Sequence, residues 1–273
     1  MTPSDFRYER YEPGPLLADY IEHFWIVSAT VGETERREIL IPNGRPTIIV
    51  NLGDIGSRLD PITGERIPND TSVAGISTRP VVIAQTGRSK LVAAQPTPFG
   101  LHALGCPPLI DTLLSFTQWS GAERTQALES DVAAADFGEP SARVLEDFLA
   151  QRLNPIPQRG LERLRMAIKE IESDPDVLGD LAARMGIGYD RLYRQFRDVV
   201  GISPKAFSAI LRYQRLVGEI LAARPGDGLA QLALMQGYYD QAHANRDFRR
   251  FTGVTPTTFQ RTLNGIAKMM HSA

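Results

Sequence analysis

The sequence predicts an α+β chain in which a β-barrel or sandwich with flanking helices precedes an all-α part made of two helix-turn-helix units. Three observations predict it. Short β-rich runs alternate with Gly, Pro, Asn and Asp clusters from residue 23 to about 110. Helical period dominates after Asn154-Pro155-Ile156-Pro157. The helical part also repeats itself at an offset of 51 to 52 residues. At 273 residues and 42% hydrophobic side chains, the chain is long enough for two domains, each with its own core.

Taken in order, the β-rich runs are His23 to Thr30, Arg37 to Ile41, Pro46 to Leu52, Val81 to Gln85 and Leu91 to Gln95. Trp25 and Trp119, with Tyr20, Phe24 and Phe99, read as core or pocket wall. After Pro107-Pro108 the pattern turns helical over Leu109 to Phe116 and again over Ser141 to Leu153. Val144, Leu145, Phe148 and Leu149 share one face of the second stretch, which fits a dimer helix and a helix packed on its own barrel equally well. The prolines of 154 to 157 bar a continuing helix, so this segment is a linker between domains at 1–154 and 158–267.

The formal net charge of −2 hides an asymmetry. Residues 1–156 carry 13 Lys and Arg against 20 Asp and Glu, a net of −7, whereas 157–273 carry 17 against 12, a net of +5. Phosphates would attract the second part and be repelled by the first. The single Cys106 excludes a disulfide framework and any multi-cysteine zinc site, and reads as a small buried residue. No run reaches the ~18 apolar residues that cross a bilayer, and charges occupy the N-terminus where a signal peptide needs an apolar stretch. The expectation is a cytoplasmic protein without a membrane partner.

The repeat is explicit. Leu181, Ala182 and Gly186 recur as Leu232, Ala233 and Gly237, and Phe196, Arg197, Gly201, Pro204 and Phe207 recur as Phe248, Arg249, Gly253, Pro256 and Phe259. The offset grows by one residue across the second turn. In each copy a small Ala lets two helices approach, and a Gly four residues on can take the left-handed backbone of the turn. Leu192 with Phe196, and Ala244 with Phe248, stand at i and i+4 and form the inward stripes. The opposite faces carry Tyr189, Asp190, Arg191, Tyr193, Arg194 and Arg197 in the first copy, and Gln241, Ala242, His243, Asn245, Arg246, Arg249 and Arg250 in the second. Arg, Gln and Asn are the side chains that pair bidentately with purine edges in a major groove. Gly201 and Gly253 are the expected C-terminal glycines, and Ser203-Pro204 and Thr255-Pro256 each offer an N-cap followed by proline.

The run Gly-Tyr-Tyr-Asp-Gln-Ala-His at 237–243, followed by Arg246-Asp247-Phe248-Arg249-Arg250-Phe251-Thr252-Gly253 and Pro256, resembles the signature of AraC/XylS-type transcription regulators. The resemblance covers about 160–265 and includes the residues of the first copy. It implies that residues 204–223 form a helix joining two readers, which enter successive major-groove turns of double-stranded DNA. It also implies that Asp190, Arg191, Tyr193 and Arg194 form one base-reading set and Gln241, Ala242, His243, Asn245 and Arg246 the other, with Arg197 and Arg249 directed at phosphates or at carboxylates of the fold. Gly188 departs from the pattern, standing where the family often has a capping Ser. Asp190, an acid facing a polyanion, would accept from a cytosine amine or cap its helix.

Pro15 to Trp25, with Ile41-Pro42-Asn43-Gly44, resembles the N-terminal domains of one AraC-type subgroup, for which a cupin-like fold is implied. Such domains bind a small effector or mediate dimerisation; no residue is assigned to the effector, and no cofactor is expected. RNA polymerase is an implied partner if the protein activates transcription, and a homodimer is the alternative use of the N-terminal domain. A cupin metal enzyme is the first rival, but His23 and His102 lack the close spacing of a metal set. Methyl-acceptor repair would need several N-terminal cysteines. A co-regulator without DNA binding is the second rival, and Arg194, Gln241 and Arg246 argue against it. The expected function is therefore non-enzymatic.

Overall fold

Alternating side chains bury the central strands of the N-terminal unit on both faces. Phe24, Ile26, Ile48, Val50, Val92 and Ala94 enter one cluster, while Trp25, Val27, Ile49 and Ala93 enter another on the opposite face. The computed structural model describes residues 5–60, 63–175, 177–222, 234, 236, 238–256, 258 and 259. The chain divides into two compact units, Met1–Glu38 with Arg45–Ser77 and Val82–Pro155, and Ile39–Gly44 with Thr78–Val81 and Ile156–Ala273.

The sheet runs in the order β1-β2-β7-β3-β6-β8, with β4 paired to β5 and β7. Its strands are β1 Arg7–Tyr11, β2 Ile21–Leu40, β3 Thr47–Asn51, β4 Gly56–Leu59, β5 Arg66–Asn69, β6 Ser72–Ala74, β7 Val81–Pro96 and β8 Leu113–Ser115. The ladders β1–β2, β3–β6, β3–β7, β4–β5, β4–β7 and β6–β8 are antiparallel.

Two pairs of expected strands are single long ones. His23 to Thr30 and Arg37 to Ile41 merge into β2, because Gly32 takes φ 83 without ending the strand and the polar residues after it face water. Val81 to Gln85 and Leu91 to Gln95 merge into β7 across Gly87 at φ 66. There the Asp54 carboxylate accepts from the Arg88 N–H at 2.7 Å, and a β-carbon on Gly87 would collide with it.

The expected helix over Leu109 to Phe116 does not form. Asp111 turns the chain at φ 51, Leu113–Ser115 pairs with β6 as β8, and the helix begins only at Phe116. Ser115 is the reason for that start. Its Oγ accepts from the Gln118 N–H at 3.2 Å and Gln118 Oε1 accepts from the Ser115 N–H at 3.3 Å, a reciprocal capping box.

Helices α1 Gly100–Ala103, α2 Phe116–Ser120, α3 Ala122–Ala134 and α4 Glu139–Ala150 complete the unit. In α4, Leu145 and Leu149 are buried in the sheet's own core, and Val144 and Phe148 pack against it. The apolar face of this helix is therefore used within its unit. Phe116, Trp119 and Phe148 meet with ring centroids 5.0 to 6.4 Å apart, and the Arg152 guanidinium lies 4.3 Å above Trp119. Cys106 is buried, and that burial pushes its thiol up to about 12.

Candidate nucleic-acid interface

The C-terminal unit is built from apolar stripes at helical spacing. Helix α5 Gln158–Ser173 buries Leu161, Leu164, Ala167, Ile168 and Ile171. Helix α6 Leu178–Arg184 follows and ends on Gly186 at φ 64, with the Gly186 N–H donating to Ala183 O and the Ile187 N–H to Ala182 O, both at 3.0 Å. These two bonds make the Schellman closure that only a left-handed residue allows cheaply. The expected turn glycine thus has its φ and its bonds.

Helix α7 Tyr189–Val199 buries Leu192 and Phe196 and exposes Tyr189, Asp190, Arg191, Tyr193, Arg194 and Arg197. The rings of Tyr189 and Tyr193 lie 6.4 Å apart on that exposed face. Arg194 Nε donates to Asp190 O at 3.3 Å. The N-cap is Gly188 in extended backbone with no side-chain bond to the first turn. Asp190 is not the cap and lies inside the first turn.

Helix α8 Pro204–Ala222 starts from Ser203, whose Oγ accepts from the Ala206 N–H at 3.1 Å. Its inner face supports both copies. Phe207 meets Phe196 at 6.1 Å, whereas Tyr213 meets Phe248 at 5.4 Å and Phe251 at 4.8 Å. Arg215 donates to the carbonyl oxygens of Glu172 and Ser173 and so satisfies the C-terminus of α5.

Helix α9 Gln241–Thr252 buries Ala244, Phe248, Phe251 and Thr252. Gln241, Ala242, Arg246, Arg249 and Arg250 are exposed, while His243 and Asn245 are partly covered. The His243 ring stands edge-on to Tyr238 at 5.1 Å, and its Nε2 lies 3.8 Å from Asp247 Oδ2. The His243 ring therefore packs on Tyr238, just before its helix, and lies near Asp247 within it. The helix closes at Gly253, φ 74, and Thr255 Oγ1 then accepts from the Thr258 N–H at 3.3 Å, as a Thr-Pro start requires. Leu232, Ala233 and Gly237 of the second copy, and the domain end at 267, lie outside the described residues.

Three features of this face escaped sequence reasoning. Asp240 is the N-cap of α9, its Oδ1 accepting from the His243 N–H at 2.6 Å; an Asp just before a helical stripe is the signal that could have found it. Tyr239, the residue before that cap, is 88% exposed. Arg250 lies over the Phe251 ring at 5.3 Å, which holds its guanidinium near the helix end.

Among the described residues no group of three or more His, Cys, Asp or Glu is placed to hold a metal, and no helix is long and apolar enough to cross a membrane. Burial and the neighbouring Arg10 push the His23 imidazole down to about 4, and Arg10 Nη2 lies 2.9 Å from its Nδ1. At neutral pH His23 is thus an uncharged partner of Arg10.

Residues 181–262 match the family described as a helix-turn-helix domain, and residues 9–109 match a domain of unknown function, DUF6597. The HTH-type transcriptional regulator MtrA of Neisseria gonorrhoeae is 26% identical over 103 residues, which are 37% of this chain and 34% of that protein. The chain thus spans about a third of the length of this curated relative. Among solved structures, ToxT from Vibrio cholerae aligns over 95% of this chain and 99% of its own at 10% identity, with a TM-score of 0.48. The AraC-like transcriptional activator CuxR aligns over 100% and 90% at 12% identity, with a TM-score of 0.33.

Proposed function

We propose that this chain, whose C-terminal region carries a helix-turn-helix domain of the AraC/XylS type, is a sequence-specific DNA-binding transcription regulator. The observation that carries the reading is the pairing of two like helices in one unit. Each of α7 and α9 buries an apolar stripe and leaves its opposite face to Arg, Tyr, Gln and Asn side chains. A helix of that kind fits a major groove, and its polar side chains then meet base edges.

In this reading residues 158–267 bind duplex DNA. Arg191, Tyr193, Arg194 and Asp190 read one groove segment, and Gln241, Ala242, Asn245 and Arg246 the next, with His243 beside them. Arg197 and Arg249 lie nearer the helix ends and hold phosphates, a role that positions the protein without reading sequence. Residues 1–154 form the controlling domain, with a small effector, a homodimer contact, or both; RNA polymerase is the further partner if the protein activates. The protein acts in the cytoplasm and without catalysis, in keeping with the description of its curated relative as a transcriptional regulator.

Binding-site selection with the full-length protein, followed by titration of the selected duplex at several salt concentrations, tests the reading. A defined motif with two blocks about one helical turn apart is expected. Log affinity should fall linearly with log salt at ~0.9 per phosphate neutralised. Selection of no motif, together with affinity unchanged by salt, would overturn it in favour of a co-regulator that meets only proteins.

A further inference from the structure

The chain enters its two outer helices differently. In the first copy Ile187 alone separates Gly186 from the N-cap Gly188; in the second, Tyr238 and Tyr239 separate Gly237 from the N-cap Asp240. Ile187 is partly covered, and its N–H donates to Ala182 O at 3.0 Å. Tyr238 is covered in the same way: its ring stands edge-on to His243 at 5.1 Å and lies beneath the Arg212 guanidinium at 5.6 Å. Tyr239 is thus the added residue, and it is 88% exposed.

Among the described residues Tyr239 has no hydrogen bond, ion pair or ring contact. Leu16, Ile55, Met166 and Leu234, the other large apolar side chains more than half exposed, reach only 52% to 65%. A single exposed apolar side chain is ordinary on a surface. This one differs because its backbone is held on both sides. Tyr238 is wedged in front of it, and behind it Asp240, in extended backbone, accepts from the His243 N–H at 2.6 Å. A ring presented from fixed backbone loses little freedom when a partner meets it. Its place is the end of α9 from which a helix-turn-helix reader meets its groove. A residue just outside that end faces the sugar-phosphate wall of the groove rather than its floor, and tyrosine is among the side chains that contact sugars and phosphates.

We propose that Tyr239 anchors the second reader to the DNA backbone: its ring lies on a deoxyribose, and its hydroxyl donates to a phosphate oxygen beside the groove that α9 enters. This rests on the reading of the chain as a DNA-binding regulator and adds to it a residue outside both base-reading sets. The contact fixes the start of α9 and carries no base information. A neutral phenol displaces no counterion, as an arginine does, so it adds affinity without adding to the salt dependence. The first copy, with Ile187 alone before its cap, has no counterpart of this anchor.

The test uses full-length protein, the duplex it selects and a scrambled duplex. Tyr239→Ala should weaken binding to both by the same factor, about tenfold, and Tyr239→Phe, which keeps the ring, by about threefold. The selected motif and the slope of log affinity against log salt should stay native in both variants. Both should unfold at the native midpoint, because the side chain is exposed. Methylphosphonate linkages, neutral replacements for single phosphates, are then placed one at a time along the strands flanking the second block of the motif. At one position the native protein should lose about threefold in affinity and Tyr239→Phe nothing, since its half of the pair is already gone. Full affinity in Tyr239→Ala, an altered motif, a shallower salt slope, a lowered midpoint in both variants, or equal losses by native and Tyr239→Phe at every methylphosphonate position would each overturn the proposal while the native protein still binds its duplex. Absence of duplex binding by the native protein would instead overturn the DNA-binding reading, and the anchor with it.

Discussion

Helix α7 begins at Gly188, which offers no side chain to its first turn, whereas α9 begins at Asp240, whose carboxylate holds the His243 N–H at 2.6 Å. The interiors differ as well. The first copy rests on Leu192 and Phe196, with Phe196 against Phe207, but the second sets Phe248 and Phe251 against Tyr213 and Phe259 against Phe248. Two like helices are thus held with different allocations of stability. The second helix has its first turn fixed by a cap and its stripe fixed by an aromatic cluster, so in the proposed reading its outward side chains are the better preorganised for base contacts. The first has no such cap, and in the proposed reading its exposed Tyr189–Tyr193 pair would meet thymine methyls and sugars rather than make a single bidentate contact.

The largest effect that could break this comparison is a core truncation. Phe248→Ala should cost ~3 to 5 kcal/mol because the ring is fully buried between Tyr213 and Phe259. Chemical denaturation should show the C-terminal unit melting before the N-terminal one, with duplex binding lost for every sequence together. If binding persisted with only its base preference altered, the ring would belong to the reading face. Next in size is Arg246→Ala, which removes an exposed side chain from the capped helix. It should cost ~1 to 3 kcal/mol at particular base pairs and leave folding intact. Site selection with the variant measures this, and an unchanged motif would mean that α9 is not the reader.

How far this contrast was legible in the sequence depends on the physics involved. The stripes Leu192/Phe196 and Ala244/Phe248, the turn glycine Gly186, the end glycines Gly201 and Gly253 and the caps Ser203 and Thr255 were all readable, because each depends on local spacing or on a backbone angle that few residues tolerate. The engagement of His243 with Tyr238 and Asp247 was hidden, since it turns on which rotamer the packed turn leaves open. The unity of β2 and β7 was hidden for another reason. A glycine and polar neighbours look alike in a hairpin loop and in the middle of a long strand, and only long-range pairing decides between them. Leu109 to Phe116 failed similarly, as its apolar spacing fits a helix while the capping box of Ser115 and Gln118 starts the helix after it.

A smaller effect should follow from Asp240→Ala. Loss of a capping carboxylate costs about 1 kcal/mol, so the midpoint of unfolding should fall without a change in motif, although affinity should drop modestly as α9 frays. Hydrogen exchange at the amides of α9's first turn reports the fraying directly. No change in either midpoint or exchange would mean that the cap contributes nothing in solution, and the asymmetry between the two helices would rest on their cores alone.

The smallest expected effect tests the first helix from the opposite direction. Gly188 sits at φ −71 and ψ 148, backbone that an ordinary residue adopts, and a β-carbon there would meet nothing within 4 Å. Gly188→Ser therefore adds a capping oxygen to α7 without strain, and the gain over glycine at such a position is a few tenths of a kcal/mol. If the missing cap is merely an untuned helix start, the variant should unfold at slightly higher denaturant, protect the amides of α7's first turn, and bind its selected duplex as tightly as before. A variant that is more stable yet binds DNA several-fold more weakly would show that the bare glycine is there to let a phosphate approach the helix N-terminus, where the unfilled N–H groups attract anions. That outcome would reverse the comparison: the uncapped helix would then owe its free first turn to the duplex, and α7 would be held by the backbone of the DNA as α9 is held by Asp240.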